Sequence, residues 1–233
     1  MIATDPYGAA DTADASVTVD NAPPAITSLT TPAVAIAVGR PATVAVTFTD
    51  PGSADTHTIA VSWGDGVTTA GLSHAYAATG LYTVTVTVRD DDGGADTRTA
   101  SSFVVVYDPN AGFVTGGGWF GSVSDKARFD VNVKYRDGVD GTVSFDGAGL
   151  TFTSATVEWL VLQPGRAKVR GSGRVGGSSA LYEFLLTVTD NPDGVRMKIW
   201  NAAGVLFDNQ PGLPDDAWTV TPLDGGSVNV KDR

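Results

Sequence analysis

The stretch LYTVTVTVRD, which begins at Leu81, constrains the fold of this chain more than any other segment. Tyr82, Val84, Val86 and Val88 fall on one face of this stretch, and Thr83, Thr85 and Thr87 fall on the other. A period of two is the mark of a half-buried antiparallel strand. Similar runs separated by turn residues are ATVAVTFTD, TIAVSWGDG and SSFVVVYD. This part of the chain is therefore predicted to be a sandwich of antiparallel strands.

The acidic residues point the same way, because nearly all of them are aspartates. Of 26 acidic residues only Glu158 and Glu183 are glutamates, and aspartate favours turns over helix interiors. The net charge is −11, with −8 in residues 1–107 and −3 in residues 108–233. We therefore expect an all-β protein, and the acidic balance argues against a nucleic-acid partner.

Several functional classes are excluded by what the sequence lacks. It has no cysteine, which excludes disulfides, a thiol nucleophile and cysteine-based zinc sites. No run of 18 apolar residues is present, so we expect no membrane span. The start, MIATDPYGAAD, lacks the pattern of a signal peptide. If the protein is secreted or displayed at the cell surface, we expect this chain to be a piece of something longer.

The first residues resemble a later segment at an offset of 85 residues. The matching positions are Asp5, Gly8, Ala10, Asp11, Thr12, Ala15 and Ser16 with Asp90, Gly93, Ala95, Asp96, Thr97, Ala100 and Ser101. Repeats at a fixed period indicate tandem modules. We interpret residues 1–20 as the terminal hairpin of a preceding repeat; the alternative is a native first strand of the next domain. Residues 21–107 and 108–233 are predicted to be the two domains that follow.

The order WGDG, HAYAATGLYTVTVTV and RDDDGG closely resembles the PKD domain, an immunoglobulin-like module of extracellular proteins, over about residues 23–107. The resemblance implies a seven-strand immunoglobulin-like sandwich that serves as a spacer or adhesive module without catalysis. It assigns Trp63 to the core, the segment around Asp65 to a turn, and His74 with Tyr76 to a structural corner. We expect His57, in the loop DPGSADTHT, to be solvated.

Aspartates cluster in two loops that an immunoglobulin-like topology places at the same end of a sandwich. They are Asp50, Asp55, Asp90, Asp91 and Asp92. Clustered carboxylates repel one another unless they are solvated or bind a cation, and calcium prefers several oxygen ligands. Some PKD domains bind calcium, so the resemblance adds a reason to expect a calcium site here. Solvated turn residues are the alternative.

Residues 108–233 are predicted to form a second antiparallel sandwich or barrel-like domain. In KARFDVNVKYR, from Lys126, apolar and polar residues alternate along one long strand. The glycines of GFVTGGGWF are expected to permit a bulge or close backbone approach, and Asn201 to Gly204 a hairpin turn. These motifs resemble a bacterial module of the post-COAP type, found after PKD domains in secreted proteins, which implies location and architecture more than activity.

Basic side chains share one face on several of these predicted strands, and they form a candidate polyanion or glycan surface if the strands are neighbours. The residues are Lys126, Arg128, Lys134, Arg136, Arg166, Lys168, Arg170 and Trp200, with Arg196 and Lys198 beside Trp200. The alternative is that they decorate a wet face and protect strand edges from aggregation. A sugar-stacking platform of Trp119, Phe120, Trp159 and Trp218 is a further hypothesis, although a core role is expected for most of them.

An enzyme is not expected. Glu158 and Glu183 would be the natural pair for a glycosidase, yet each lies in a strand beside hydrophobic neighbours. We expect a non-catalytic extracellular fragment of a larger bacterial protein, a spacer or adhesion module with a C-terminal ligand-binding or presentation domain. The alternative is a carbohydrate-binding accessory region of a secreted hydrolase. Expected partners are extracellular polysaccharide or protein and neighbouring repeats, with calcium as the one candidate cofactor.

Overall fold

The computed structural model describes residues 2–4, 6–8, 10–12, 14, 16, 20–135 and 138–232. Every regular element within these residues is a β-strand. The first two, β1 (Ile2–Thr4) and β2 (Ala10–Thr12), form an antiparallel hairpin. Its pairs, such as Ala3 with Asp11, recur 85 residues later as Val88 with Asp96, in the same register. The structural match agrees with the sequence repeat, and the origin of residues 1–20 in a preceding module stays a prediction.

Short strands in small sheets make up the N-terminal sandwich. They are β3 (Ala25–Thr30), β4 (Ile36–Ala37), β5 (Pro41–Thr43), β6 (Ala45–Thr49), β7 (His57–Ser62), β8 (Thr68–Thr69), β9 (Ser73–Ala75), β10 (Gly80–Tyr82), β11 (Thr85–Asp90), β12 (Ala95–Thr99) and β13 (Val104–Tyr107). The larger sheets have the orders β12-β11-β7-β8 and β10-β13-β4, and the pairs β3-β6 and β5-β9 complete the structure. Alternate apolar residues of these strands form one core around Trp63.

The predicted strand LYTVTVTVRD is in fact two strands in different sheets. β10 pairs with β13, whereas β11 pairs with β7 and β12. The chain crosses between the sheets at Thr83 and Val84, where the Gly64 turn packs against the Thr83 backbone. The predicted inner face is confirmed for Val84, Val86 and Val88, which are fully buried, while Tyr82 is half-buried. The period of two therefore identified the core face but not the change of sheet.

The C-terminal domain is built from longer strands in a single sheet. They are β14 (Phe113–Ser122), β15 (Asp125–Tyr135), β16 (Val139–Gly147), β17 (Leu150–Gln163), β18 (Arg166–Val175), β19 (Tyr182–Thr189), β20 (Gly194–Asn201), β21 (Gly204–Asp208), β22 (Thr221–Pro222) and β23 (Gly225–Lys231). Neighbours from β14 to β21 follow chain order as an antiparallel meander, and β23 pairs with β14. Asn201 lies opposite Gly204, as predicted for the hairpin turn.

The sheet curls towards a closed barrel. β22 pairs with β20 near one end of the meander, and β23, which follows it, pairs with β14 at the other end. Close backbone approach at β14 requires its glycines: Gly116 has φ +134°, and a Cβ there would collide with the Ser227 carbonyl of β23. The predicted role of this glycine run is confirmed. The concave face holds one large apolar core drawn from β14 to β20 and β23.

The two domains meet through the outer face of the C-terminal sheet. Trp159, Val161 and Leu185 lie buried there, and Leu81 and Val105 of the sandwich pack against them. The Thr79 hydroxyl donates to the Leu162 carbonyl at 2.6 Å, and the Gln163 amide donates to the Thr79 carbonyl at 2.6 Å. Tyr107 stacks on Tyr135 with 5.2 Å between ring centroids. The predicted fold class is confirmed: an immunoglobulin-like sandwich followed by a second, barrel-like β domain.

Candidate functional site

Three of the predicted aspartates converge at one end of the sandwich. The pairing of β7 with β11 places Asp90 opposite His57, and this brings together the loops that flank the two strands. One carboxylate oxygen each from Asp50, Asp55 and Asp90 lies within 4.8 Å of the other two. Calcium binds oxygens at about 2.3–2.6 Å, so oxygens at this spacing are able to share one ion. We call these three residues the aspartate cluster.

Two members of the aspartate cluster are held in place by hydrogen bonds. Asp50 accepts from the Gly52 amide at 2.7 Å, and its other oxygen lies 2.8 Å from His57 Nε2. Asp90 accepts from the Gly94 amide at 2.6 Å and from the Asn21 side chain at 2.8 Å. Such surrounding partners orient carboxylates for metal binding, but they also stabilise the cluster without a metal.

The third member, Asp55, has the least favourable electrostatic surroundings. Loss of hydration, followed by the negative charge of Asp50 and of Asp90–Asp92, raises the pKa of its carboxyl. The Asn21 hydrogen bond has the opposite effect on Asp90, whose pKa is lowered. A bound cation would relieve the repulsion at Asp55, since an opposite charge favours the ionised form.

The other two predicted ligands lie at the edge of this site. Asp91 accepts from the Thr56 amide at 2.8 Å, which ties its loop to the loop that carries Asp55. Asp92 is exposed, and its charge contributes to the raised pKa of Asp55. Calcium takes six to eight oxygen ligands, so an ion held by the aspartate cluster would need further oxygens from these residues or from water.

At this end of the sandwich, the sequence prediction is wrong for one residue and misses another. His57 was expected to be solvated, which is wrong: it binds Asp50 and packs on Phe48, with 4.9 Å between ring centroids. Asn21 is not among the predicted site residues. No local pattern could reveal its contact with Asp90, which is 69 positions away.

The WGDG turn has the structural role that was predicted. Trp63 is fully buried, its indole donates to Thr69, and the Tyr76 hydroxyl donates to the Trp63 carbonyl at 2.9 Å. His74 Nε2 lies 2.7 Å from Asp65. Although burial alone would raise the pKa of Asp65, the His74 contact and the Val67 amide lower it. These contacts fix the corner and leave neither group placed for catalysis.

The predicted basic surface is not continuous. Its residues lie on β15, β18 and β20, and the sheet order β20-β19-β18-β17-β16-β15 makes none of these strands neighbours. On β15, Lys126 lies over the Trp119 ring, Arg128 is exposed and Lys134 is half-buried. The fourth residue predicted there, Arg136, lies outside the described residues. The condition on which a shared stripe depended is therefore not met.

The cations of β18 and β20 are engaged by a segment that crosses the outer face of the sheet. We call residues 209–220 the strap. Lys168 is fully buried and donates to Thr187 and to the strap carbonyls of Asp215 and Ala217. Burial, with the nearby charge of Arg196, lowers the pKa of Lys168 to about 8. This lysine is unavailable to a polyanion, contrary to prediction.

Arg196, which lies beside Lys168, is also engaged by the strap. It forms a two-point ion pair with Asp208, at 3.1 and 2.9 Å, and also donates to the carbonyls of Leu213 and Pro214. It is 1% exposed, so the guanidinium serves the attachment of the strap. A basic residue on a wet strand face gave no sign in the sequence that a later segment would cover it.

The remaining members of the candidate surface pair with aromatic rings or carboxylates. Arg166 lies over Trp218, and Arg170 lies over Trp200, which Lys198 also contacts. Arg170 further bonds Glu158 at 3.3 Å and Glu183 at 3.2 Å. The two glutamates considered for glycoside hydrolysis thus share one arginine and form an ion-pair network with it.

The proposed sugar-stacking aromatics do not form a free platform. Phe120 and Trp159 are buried, one in the barrel core and one between the domains. Trp119 is covered by Lys126, and Trp218 by Arg166 and Lys168. Each of these rings already has a protein neighbour on it.

Comparison with known proteins identifies one family. Residues 21–106, which form the sandwich, match the family model of the PKD domain. No curated protein matches the chain. PKD domains are non-catalytic immunoglobulin-like modules that occur in extracellular or secreted proteins. Within the described residues, no helix has the length and apolar character needed to cross a membrane.

Proposed function

We propose that this chain is a non-catalytic extracellular segment in which the PKD domain is a spacer or adhesion module. In this proposal it holds the C-terminal β domain in a fixed orientation for ligand binding or presentation. The contact that carries the proposal is the buried group of Trp159, Val161 and Leu185, on which the sandwich packs. A spacer that presents another domain needs such a junction, because a bare linker would leave the two domains free to reorient.

Backbone ¹⁵N relaxation of the whole chain tests this function. One rotational correlation time is expected for the residues of both domains. Val161→Asp should give each domain its own correlation time, because it buries a carboxylate in the contact between the domains. Two independent correlation times in the unmodified chain would contradict the proposal.

The alternative, a carbohydrate-binding accessory region of a secreted hydrolase, is separated by binding assays. Pull-down on insoluble polysaccharides and a glycan array should give no enrichment that depends on Trp119 or Trp218, since both rings are already covered. Retention that is lost in Trp218→Ala, with the fold intact, would favour the alternative. Hydrolysis lost on substituting Glu158 or Glu183 would overturn the non-catalytic proposal.

We further propose that the aspartate cluster binds one calcium ion. Three observations support it: the spacing of the three oxygens, the hydrogen bonds that orient Asp50 and Asp90, and the repulsion at Asp55. A cation held there would tie the loop after β6 to the loop after β11. It would also contact the residue that Asn21 holds at the start of the domain.

Thermal unfolding with and without calcium tests the ion site. The wild-type melting temperature should rise with calcium concentration, because a ligand of the folded state stabilises it. Asp55→Asn should lose this response and, without calcium, should melt no lower than wild type, since it removes a repelled carboxylate. Asp146→Asn, the same change at an exposed position of β16, is the matched control. An unchanged calcium response in Asp55→Asn would exclude the site.

Neighbouring PKD-like modules are the remaining proposed partners. The shared register of the β1–β2 and β11–β12 hairpins supports the idea that residues 1–20 close a preceding repeat. In β11, the edge opposite β12 pairs with β7. The corresponding edge of β1 would then receive the equivalent strand of that preceding module. Comparison of the amide exchange of β1 in this chain and in a longer chain that includes the preceding residues tests this: protection should rise in the longer chain.

A further inference from the structure

A cleft of about 550 Å³ lies where the two domains meet. We call it the interdomain cleft. The sandwich contributes Ala35, Leu81, Phe103 and Val105 to its walls, and the C-terminal sheet contributes Trp159 and Leu185. Ligand pockets are typically about 300–1,000 Å³, mostly apolar, and frequent at domain interfaces. The size, lining and position of this cleft therefore satisfy the general requirements of a small-molecule site.

Regular sheet structure holds the floor of the cleft. Trp159 pairs with Arg170, and Arg170 pairs with Leu185, so the three residues form one row across β17, β18 and β19. Leu185 is 3% exposed and is fixed against its neighbours. A floor on three hydrogen-bonded strands is largely formed before a ligand arrives, which reduces the cost of ordering it on binding.

The indole N–H of Trp159 is the polar feature that points to a ligand. The Trp159 side chain is 8% exposed, yet its N–H has no hydrogen-bond acceptor among the described residues. Buried tryptophans usually find such a partner. The nitrogen is not sealed within the protein either, since only Gln163 Oε1 is both fully buried and unpaired in the described part of the chain. Trp159 lines the cleft, and its unused donor is therefore a candidate contact for a molecule bound there.

The charges at the rim restrict which molecules fit. Glu158 and Asp215 line the cleft, and Arg170 is the one cation beside them among its described lining residues. Arg170 is already bound by Glu158 and Glu183. Asp215 is paired with Lys198 at 2.7 Å. A negatively charged ligand would therefore find no unpaired cation among the described residues that line the cleft. A neutral ligand needs no such cation, and its hydroxyl or amide hydrogens would find acceptors in those carboxylates.

We propose that the interdomain cleft binds a neutral, largely apolar small molecule whose hydrogen-bond acceptor receives the Trp159 indole N–H. The body of the ligand packs between Leu81 and Val105 of the sandwich and Leu185 of the sheet. Because it touches both domains, the ligand stabilises their docked arrangement. This site is separate from the aspartate cluster and does not depend on calcium.

The fluorescent ketone Prodan tests the proposal, because it is neutral, has a flat naphthalene body and carries one carbonyl acceptor. Titration of the folded chain should give saturable, blue-shifted emission with one site per molecule. The anionic probe 8-anilinonaphthalene-1-sulfonate should bind at least tenfold more weakly, because the cations beside the cleft are already paired with Glu158 and Asp215. Absence of saturable Prodan binding, or tighter binding of the anion, overturns the proposal.

Three variants locate the bound probe. Ala35→Phe fills the cleft and should weaken Prodan binding at least tenfold. Trp159→Phe keeps an aromatic floor but removes the N–H, and should weaken it about three- to tenfold, the usual range for one hydrogen bond. Val123→Ala removes an exposed apolar side chain in the β14–β15 turn and should leave binding unchanged. If Ala35→Phe does not fold, Trp159→Phe decides; unchanged affinity in Trp159→Phe overturns the proposed contact.

Discussion

The two domains use their charged residues in opposite ways. In the N-terminal sandwich, carboxylates gather in loops at one end, and Asp55 remains in repulsive surroundings. In the C-terminal domain, Lys168 and Arg196 lie buried on the outer face of the sheet under the strap. Their hydrogens are used by Thr187, Asp208 and the strap carbonyls.

The difference shows that the position of a charge in the fold decides whether it is available for binding. Loop carboxylates that repel one another keep a driving force for a cation, since their own contacts do not neutralise them. Strand cations covered by a later segment have no such capacity: the Arg196 charge is paired with Asp208, and the Lys168 amine is buried against Thr187 and the strap carbonyls. In the sequence, the loop carboxylates and the strand cations both look like polar residues at solvent-facing positions. Only the fold shows which of the two groups is covered.

The largest effect should follow from breaking the buried ion pair beneath the strap. Asp208→Asn removes the two-point partner of the buried Arg196 guanidinium and leaves only Asp215, 3.8 Å away, as a carboxylate beside it among the described residues. It should lower the free energy of unfolding by about 3–5 kcal/mol. Urea denaturation measures the change, and Asp146→Asn, on the exposed face of β16, should change it by less than about 0.5 kcal/mol. A loss below about 1 kcal/mol would mean that Asp215 and the strap carbonyls satisfy Arg196 without Asp208.

The pH dependence of stability tests the burial of Lys168. The pKa is about 8 in the folded chain and 10.5 when the residue is free, so between these values the unfolded chain holds a proton that the folded chain lacks. Raising the pH through this window therefore favours the folded state. Wild type should gain about 1–3 kcal/mol relative to Lys168→Met between pH 7.5 and 10.5. A constant difference would contradict a lowered pKa.

A single hydrogen bond between the domains should contribute less to the free energy of unfolding than the buried groups beneath the strap. Thr79→Val removes the donor to Leu162 and should lower the free energy of unfolding by about 1 kcal/mol. Calorimetry should still show one transition if the domains unfold together. Thr30→Val, at an exposed position of β3, is the control and should be nearly neutral. Equal effects of the two changes would count against a specific junction at Thr79.

Local patterns predicted the architecture well. Alternation identified the buried faces of β11 and β15, because a strand with one buried face places an apolar residue at every second position. The motifs WGDG and HAYAATG marked a corner whose contacts lie within about 20 residues of one another. The convergence of Asp50, Asp55 and Asp90 followed from the expected loop topology, without any local signal.

Most failures of prediction involve contacts between distant segments, whereas the wrong prediction for His57 concerns Asp50, seven positions away. Lys168 meets the strap carbonyls 47 and 49 positions later, and Asn21 meets Asp90 from 69 positions away. Trp159 was weighed as core or sugar platform, whereas it lies between the domains. Periodicity shows which face of a strand is apolar, but it does not identify what covers that face.

Equilibrium dialysis against radioactive calcium tests most directly the claim that the binding capacity lies in the loop carboxylates and not in the strand cations. The wild-type chain should bind one ion, Asp50→Asn combined with Asp55→Asn should bind none, and Lys168→Met should bind one as wild type does. Loss of the ion only when the aspartate cluster is altered is the predicted result. No bound ion in wild type, or an ion that persists in the double variant, would contradict the account.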